Sequence, residues 1–536
     1  MRQGAQKLIL ALFFGMMALH VVFTFSGYYN DDDVNYARYA MEIAEHGLNF
    51  HPATNHFQLR WSTVYPAALL FKLFGINTIT PALVSLTSFF LCGILLYRNR
   101  NSTGNSTFFL LLTLFFFSHT VVQNMHRLLP DANICLAVLW MYYSYQNFRA
   151  GQRKMRYHAL SFAAGLFLAI ITKETIIIAL PLFLVFYLRD LWKKCNQGFW
   201  KYSFLFSLAF IIPYLLYFQL TTGNIFYRFE MLTSGGYFNH CSFDKMPLVF
   251  TINRLAYELW WNQLMQGDML LLLPAISAVV YRKHLANYRA ERSDYFAFII
   301  LLLSANFMSI SWKAYVPLCP APRHFIFILP FAAMIGARML QAYFFEPIKY
   351  KLLPIFFLAA TIVAFFNPGS VKLLYLLMLL ILLSVPIFKR QFPKNFNSIV
   401  FTIGIFAFFF LNYLAAFLHP IYPYYFDQKK IIENNFSPGM STAATIVSAD
   451  HFTSELNEYL LNFKTGHLKF LPVTYASEIQ DSMVYFLVNA QITPSWQDKA
   501  NGLMQGSVDS IKLFSRVNNV FLYKISPSCM KKLRGW

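Results

Sequence analysis

Acidic residues are scarce in this chain: 24 Asp and Glu stand against 44 Lys and Arg in 536 residues, and charges of either sign make up only 13%. A soluble core would need far more polar surface to cover it, which excludes a water-soluble globular protein. The apolar share is 57%, and stretches long enough to cross a bilayer as helix recur along most of the chain. Lipid solvates the outside of such a bundle and removes the need for polar cover. The reading is a polytopic α-helical membrane protein. Cysteine is sparse as well. The six cysteines are scattered with no C-x-x-C and no His/Cys pairing at zinc spacing, which argues against a metal-thiolate site. A disulfide among Cys241, Cys319 and Cys529 stays open, because all three fall in segments read below as external. No internal repeat or low-complexity tract stands out, which weighs against the repeated halves common in transporters.

The net charge of +20 raises the question of nucleic acid, but Lys and Arg sit in short clusters between apolar runs rather than on one folded face. They read as topology. The clusters at 98–100, 149–156, 189–201, 282–292, 349–351 and 389–394 mark the cytoplasmic side. Between them, expected spans run over 8–26, 78–97, 107–121, 132–148, 159–171, 175–188, 202–220, 268–281, 295–311, 324–344, 352–366, 372–388 and 398–418, about thirteen helices. Residues 1–26 resemble a signal peptide through Arg2 and Lys7 before an apolar run, yet no small-residue cleavage site precedes Tyr28, so a retained first helix is expected. The segment STVYPAALLFKLFG (62–75) is too short to cross and reads as an interfacial helix. Outer segments are then 27–77, 122–131, 172–174, 221–267, 312–323, 367–371 and everything after 418.

Two domains are expected: residues 1–419, a membrane domain with outer loops 27–77 and 221–267, and residues 420–536, a small extracytoplasmic α/β domain. In the second, strand-like runs occupy 444–449, 468–473, 483–488 and 519–525. Between the first two, 450–463 has helical apolar spacing with Asp450 as N-cap.

Three consecutive acids, Asp31, Asp32 and Asp33, follow the first helix. The run after them places Tyr36, Tyr39, Ala40 and Ile43 on one face of an amphipathic surface helix, of which the acids would be the N-terminal cap. Capping alone accounts for that segment. Other charges gather on the same side, however: Asp131 at the mouth of a span, Lys173 and Glu174 at a turn between apolar helices, and Lys313, Arg323 and His324 beside another entrance. Charge at that depth is expensive without a partner or ligand. Carboxylates facing cations suit a sugar phosphate or lipid phosphate: a carboxylate takes the proton of an attacking hydroxyl, and Lys and Arg stabilise charge on a phosphate leaving group.

These residues resemble the polyprenyl-phosphate-dependent glycosyltransferases of the GT-C superfamily, in the branch of aminoarabinose-lipid A transferases and bacterial relatives of protein O-mannosyltransferases. The likeness covers about the first 345 residues by motif and the remainder by architecture. In DDVNYARYA, Asp32 matches the family's catalytic carboxylate and Asp33 its acidic neighbour. WSTVYPAALLFKLFG matches an aromatic-Pro helix ending in L-F-G. Asp131 in LLPDANI matches the second outer-loop Asp, and Lys173 in AIITKETIIIALP the Lys of a T-K-G motif. WKAYVPLCPAPRHFIFILP resembles the Lys and R-Y Pro-rich helix, which implies that Lys313 and Arg323 bind phosphate, with His324 beside them. Asn35, Glu174 and His324 depart from the family's Arg, Gly and Tyr, and bear on the sugar and acceptor contacts.

The expected function is transfer of a sugar from a polyprenyl-phosphate donor to an extracytoplasmic lipid, glycan or protein, in a bacterial plasma membrane with the site and the C-terminus outside. Nucleotide sugars are cytoplasmic and these charges face outward, which selects a lipid-linked donor. Asp32 would be general base, Asp131 would orient the acceptor or a cation, and Lys173, Lys313 and Arg323 would hold the departing phosphate. A divalent cation bridging Asp32, Asp131 and the phosphate stays open, without a dedicated ligand cage. The rivals are a flippase for a lipid-linked sugar, which the charge-poor span centres disfavour, and a membrane scaffold in which the acids only cap. Trp61, Tyr237 and Trp312 are candidate site aromatics, and Gly235 and Gly236 mark 221–267 as a candidate lid.

Overall fold

The computed structural model describes residues 2–23, 31–47, 56–77, 79–99, 104–151, 154–234, 243, 246–285, 289–311, 314–366, 369, 371–418, 424–436, 443–478, 483–490, 493, 495–496 and 511–526. Every expected span meets a helix, from Arg2–Phe23 to Lys394–Leu418. Among the described residues, six helices are by themselves long and apolar enough to cross a membrane, and shorter apolar ones such as Ala82–Arg98 and Asn105–Phe116 accompany them. Helices Asp131–Arg149 and Leu329–Phe345 are buried along most of their length and form the centre of the bundle. At the periphery, Phe204, Leu220 and Ile387 are more than half exposed. Such an outer face is stable only in lipid. Helices approach closely where side chains are small: a Cβ on Gly93 would lie 2.8 Å from the Phe116 ring and 2.9 Å from that of Phe14.

Two short helices, Asp31–His46 and Trp61–Phe74, pack against each other and against the tail. The first buries the apolar face expected from its pattern, and it does so against protein. Its buried positions are Val34, Tyr36, Ala37 and Ala40, with Tyr39 and Ile43 partly covered. The stripe is wider because protein covers the helix from two sides, through Trp61–Phe74 and through the tail helix His451–Leu460.

The tail holds a sheet of β1 (Ala444–Ser448), β2 (Leu468–Pro472), β3 (Val484–Asn489), β4 (Ile511–Val517) and β5 (Val520–Ile525), in the order β2-β1-β3-β5-β4. β1 runs parallel to β2 and β3, while β5 runs antiparallel to β3 and β4. Asp450 caps the helix after β1, its carboxylate accepting from Thr453 N at 2.8 Å. β4 was not expected. It is an edge strand with mostly exposed side chains, so its sequence lacks the apolar run that marks a central strand. Cys319 is disulfide-bonded, whereas Cys92, Cys135 and Cys195 are free; Cys241 and Cys529 lie outside the described residues.

Candidate active site

Four elements deliver charge to one region. Asp32 and Asp33 occupy the first turn of Asp31–His46; Asp131 opens Asp131–Arg149, next to Pro130; Lys173 sits in extended backbone where Met155–Thr172 stops; Arg323 and His324 lie in the first turn of the 3-10 segment Pro322–Ile328. Hydroxyl and amide groups hold these elements in register. Asn133 Nδ2 donates to Ser62 O at 3.0 Å, Ser62 Oγ and Thr172 Oγ1 are 2.7 Å apart, and Ser88 bonds the Asn133 side-chain oxygen.

The charges pair one to one. Arg323 Nη2 donates to Asp32 Oδ2 at 2.9 Å, Arg127 Nε to Asp33 Oδ2 at 3.0 Å, Lys173 Nζ to Asp131 Oδ1 at 3.2 Å, and Arg60 Nη2 to Glu174 Oε1 at 3.2 Å. His324 Nδ1 lies 3.5 Å from both Lys173 Nζ and Asp131 Oδ1, and its tautomer decides which it bonds. Asp33 and Arg127 are 0% and 3% exposed, Asp131 and Lys173 6% each, but Asp32 and Arg323 are 25% and 20% exposed. Asp32 is therefore the expected acid that an incoming molecule can reach. Asp33 is a buried anchor.

Environment separates these groups further. Burial alone would raise the Asp32 carboxyl, but Arg323, Arg60 and Lys173 outweigh it and hold it below the usual carboxylate range. Burial pushes Asp33 up to about 6, against the pull of Arg127. Burial also lowers the Lys173 ammonium, with Asp131 opposing.

The acids are thus not simply a cap: the Asp32 and Asp33 carboxylates make long-range ion pairs. The structure brings Asp32, Asp33, Asp131, Lys173, Arg323 and His324 together. Lys313 lies outside the described residues, as do Trp312, Tyr237, Gly235 and Gly236. Trp61 packs edge-on against Tyr214 and Tyr217, with ring centroids at 4.8 and 5.1 Å. Arg60, Arg127, Tyr36 and His56 join the site without having been expected there. Arg60 bonds the Tyr36 hydroxyl and spreads its guanidinium over the Phe57 ring at 5.3 Å. His56 stacks on Phe57 at 4.3 Å; burial, then Arg60, lower its imidazole to about 4. The available signal was Arg60 standing alone before an apolar helix and Arg127 four residues before Asp131.

No protein-family model and no curated protein matches the chain. Solved structures do. ArnT from Cupriavidus metallidurans bound to undecaprenyl phosphate superposes with a TM-score of 0.64 at 12% identity, over 98% of both chains. The apo state of the same protein gives 0.57 at 14% identity, over 97% of this chain and 98% of that one. The archaeal oligosaccharyltransferase AglB from Archaeoglobus fulgidus gives 0.46 at 11% identity, over 97% and 74%. The protein has the GT-C fold. The match spans the GT-C bundle and the tail sheet alike, and with the apolar helices it makes the chain an integral membrane protein.

These residues place a reachable carboxylate beside cations, a set suited to proton removal and anion binding. Among the described residues no group of three His, Cys, Asp or Glu side chains is placed to hold a metal ion. Each acid already faces a cation, so the residues present fit a divalent ion poorly.

Proposed function

We propose that the protein is a glycosyltransferase that moves a sugar from a polyprenyl monophosphate to an acceptor on the extracytoplasmic side of the membrane. The observation that carries this reading is the Asp32–Arg323 pair, the most exposed of the four ion pairs gathered here, on a fold shared with a protein solved with undecaprenyl phosphate. The donor phosphate takes Arg323 and Lys173, with Lys313 as a third cation, and releases the Asp32 carboxylate. Asp32 then removes the proton from the acceptor hydroxyl or phosphate. The acceptor oxygen attacks the anomeric carbon with inversion, the bond from that carbon to the phosphate oxygen breaks, and the phosphate leaves with the electron pair. Asp131 keeps Lys173 oriented toward the leaving group.

Mass spectrometry of envelope lipids and glycans, with and without the gene, tests the reading: one terminal sugar should vanish and return with the wild-type gene but not with Asp32→Asn. Identical profiles with and without the gene would overturn it.

A further inference from the structure

A cavity lies away from the ion pairs. It has a volume of about 810 Å³ and is lined by Phe162 and Leu166 of Met155–Thr172, Tyr187 and Leu191 of Leu180–Trp192, and one face of Gln197–Thr222. That face is ordered by chemistry. Its polar groups gather at the start, Gln197 and Lys201 and then Ser203 and Ser207, with the Trp200 and Phe204 rings among them, and only Leu208 and Ile211 follow. At ~1.5 Å per residue the two hydroxyls lie about 3 and 9 Å beyond Lys201, and Ile211 about 15 Å beyond it.

Ser203 is only 3% exposed, and its hydroxyl has no hydrogen-bond partner among the described residues. Leaving a buried donor without an acceptor is costly, so this one points to an acceptor that the protein does not supply. The wall beside it is fixed: Trp200 Nε1 donates to the buried Asp190 carboxylate at 3.1 Å. Lys193 and Lys194, both exposed, follow Leu191 and add positive charge near the same end.

Charge, hydroxyls and hydrocarbon in that order match a glycerophospholipid from its phosphate through its ester carbonyls to its chains. We propose that this cavity binds an anionic glycerophospholipid, with its phosphate on Lys201, an ester carbonyl accepting from Ser203 and an acyl chain along Leu208 and Ile211. The sugar donor does not fit this place. Leu191 lies 17 residues past Glu174, about 25 Å along the helix, so a headgroup at Lys201 sits at the opposite end of the bundle from Arg323 and Lys173.

The test uses the purified full-length protein. In phosphatidylcholine nanodiscs carrying a diazirine-bearing phosphatidylglycerol, illumination should label peptides from 155–172, 180–192 and 197–222; labels confined to other helices overturn the proposal. In native mass spectrometry the wild type should retain phosphatidylglycerol over phosphatidylcholine. Lys201→Glu should cut that preference by roughly fivefold or more, and Ile211→Trp should reduce retention of both lipids. Equal retention of the two lipids by the wild type, or no change in either variant, overturns it; the labelling experiment needs no variant to fold.

Discussion

Arg323 holds the Asp32 carboxylate across 2.9 Å, joining two residues 291 positions apart. An anion approaching Arg323 must therefore compete with Asp32 for it. Asp32→Asn should lower sugar transfer by a factor of about 100 to 10,000 yet bind polyprenyl monophosphate up to roughly tenfold more tightly, because one charge contact of the guanidinium has been released. Arg323→Gln should weaken both. Titration of each variant with polyprenyl monophosphate checks this, and weaker binding by Asp32→Asn would refute the competition.

Asp33 carries a pH signature. Its carboxyl is held near 6 in the folded protein by burial, above its ordinary 3.8. From about pH 4 to about pH 6 the folded state binds more protons than the unfolded one, so this residue's contribution to stability falls as pH rises through that window. The change is of the order of 3 kcal/mol. His56, lowered by burial to about 4, acts in the opposite sense between about pH 4 and 6.5. The difference between wild type and Asp33→Asn isolates Asp33. Thermal unfolding from pH 4.5 to 7 should show wild type losing ground to the variant as pH increases; a constant offset would count against it.

Arg60 and Glu174 should fail singly and recover together. They are 5% and 17% exposed, and removing one partner of a buried pair costs about 3–5 kcal/mol, because a charge is left behind. Arg60→Met with Glu174→Gln should be less damaging than the sum of the two. Additive losses in a thermal-melt cycle would mean the pair is not coupled.

The tail docks on Asp31–His46 through apolar contact rather than charge. Arg38 reaches Glu458 at 2.9 Å and Glu455 at 3.8 Å, but Arg38 and Glu458 are 28% and 30% exposed, so Arg38→Ala should cost less than about 1 kcal/mol. Ala40, fully buried in the shared core, has no room for growth: Ala40→Phe should cost about 1–3 kcal/mol by overpacking. Limited proteolysis of the tail in both variants ranks them, and the reverse order would show that the ion pairs carry the docking.

Much of this architecture was legible from residues alone, for reasons that also explain the gaps. Every apolar stretch bounded by basic clusters became a helix, since length and lipid leave few alternatives. Asp450 was readable as a cap because the bond it makes is three residues away. Asp32, Asp131, Lys173 and Arg323 drew notice as charges at the ends of apolar runs. Their pairings did not, nor did Arg60 and Arg127, because partners separated by 42 to 291 positions leave no local periodicity. β4 escaped for the complementary reason: an exposed edge strand needs no apolar pattern.

The core that seats Asp31–His46 includes Leu456, Tyr459 and Leu522, residues that emerge from the ribosome more than four hundred codons later. At about 5–20 residues per second, that helix waits roughly 20 seconds to a minute and a half for the part of its cover that the tail supplies. Maturation of the Asp32 geometry is thus a late event, completed only when translation reaches the last strand, and a polypeptide stalled before it would be inserted but unassembled.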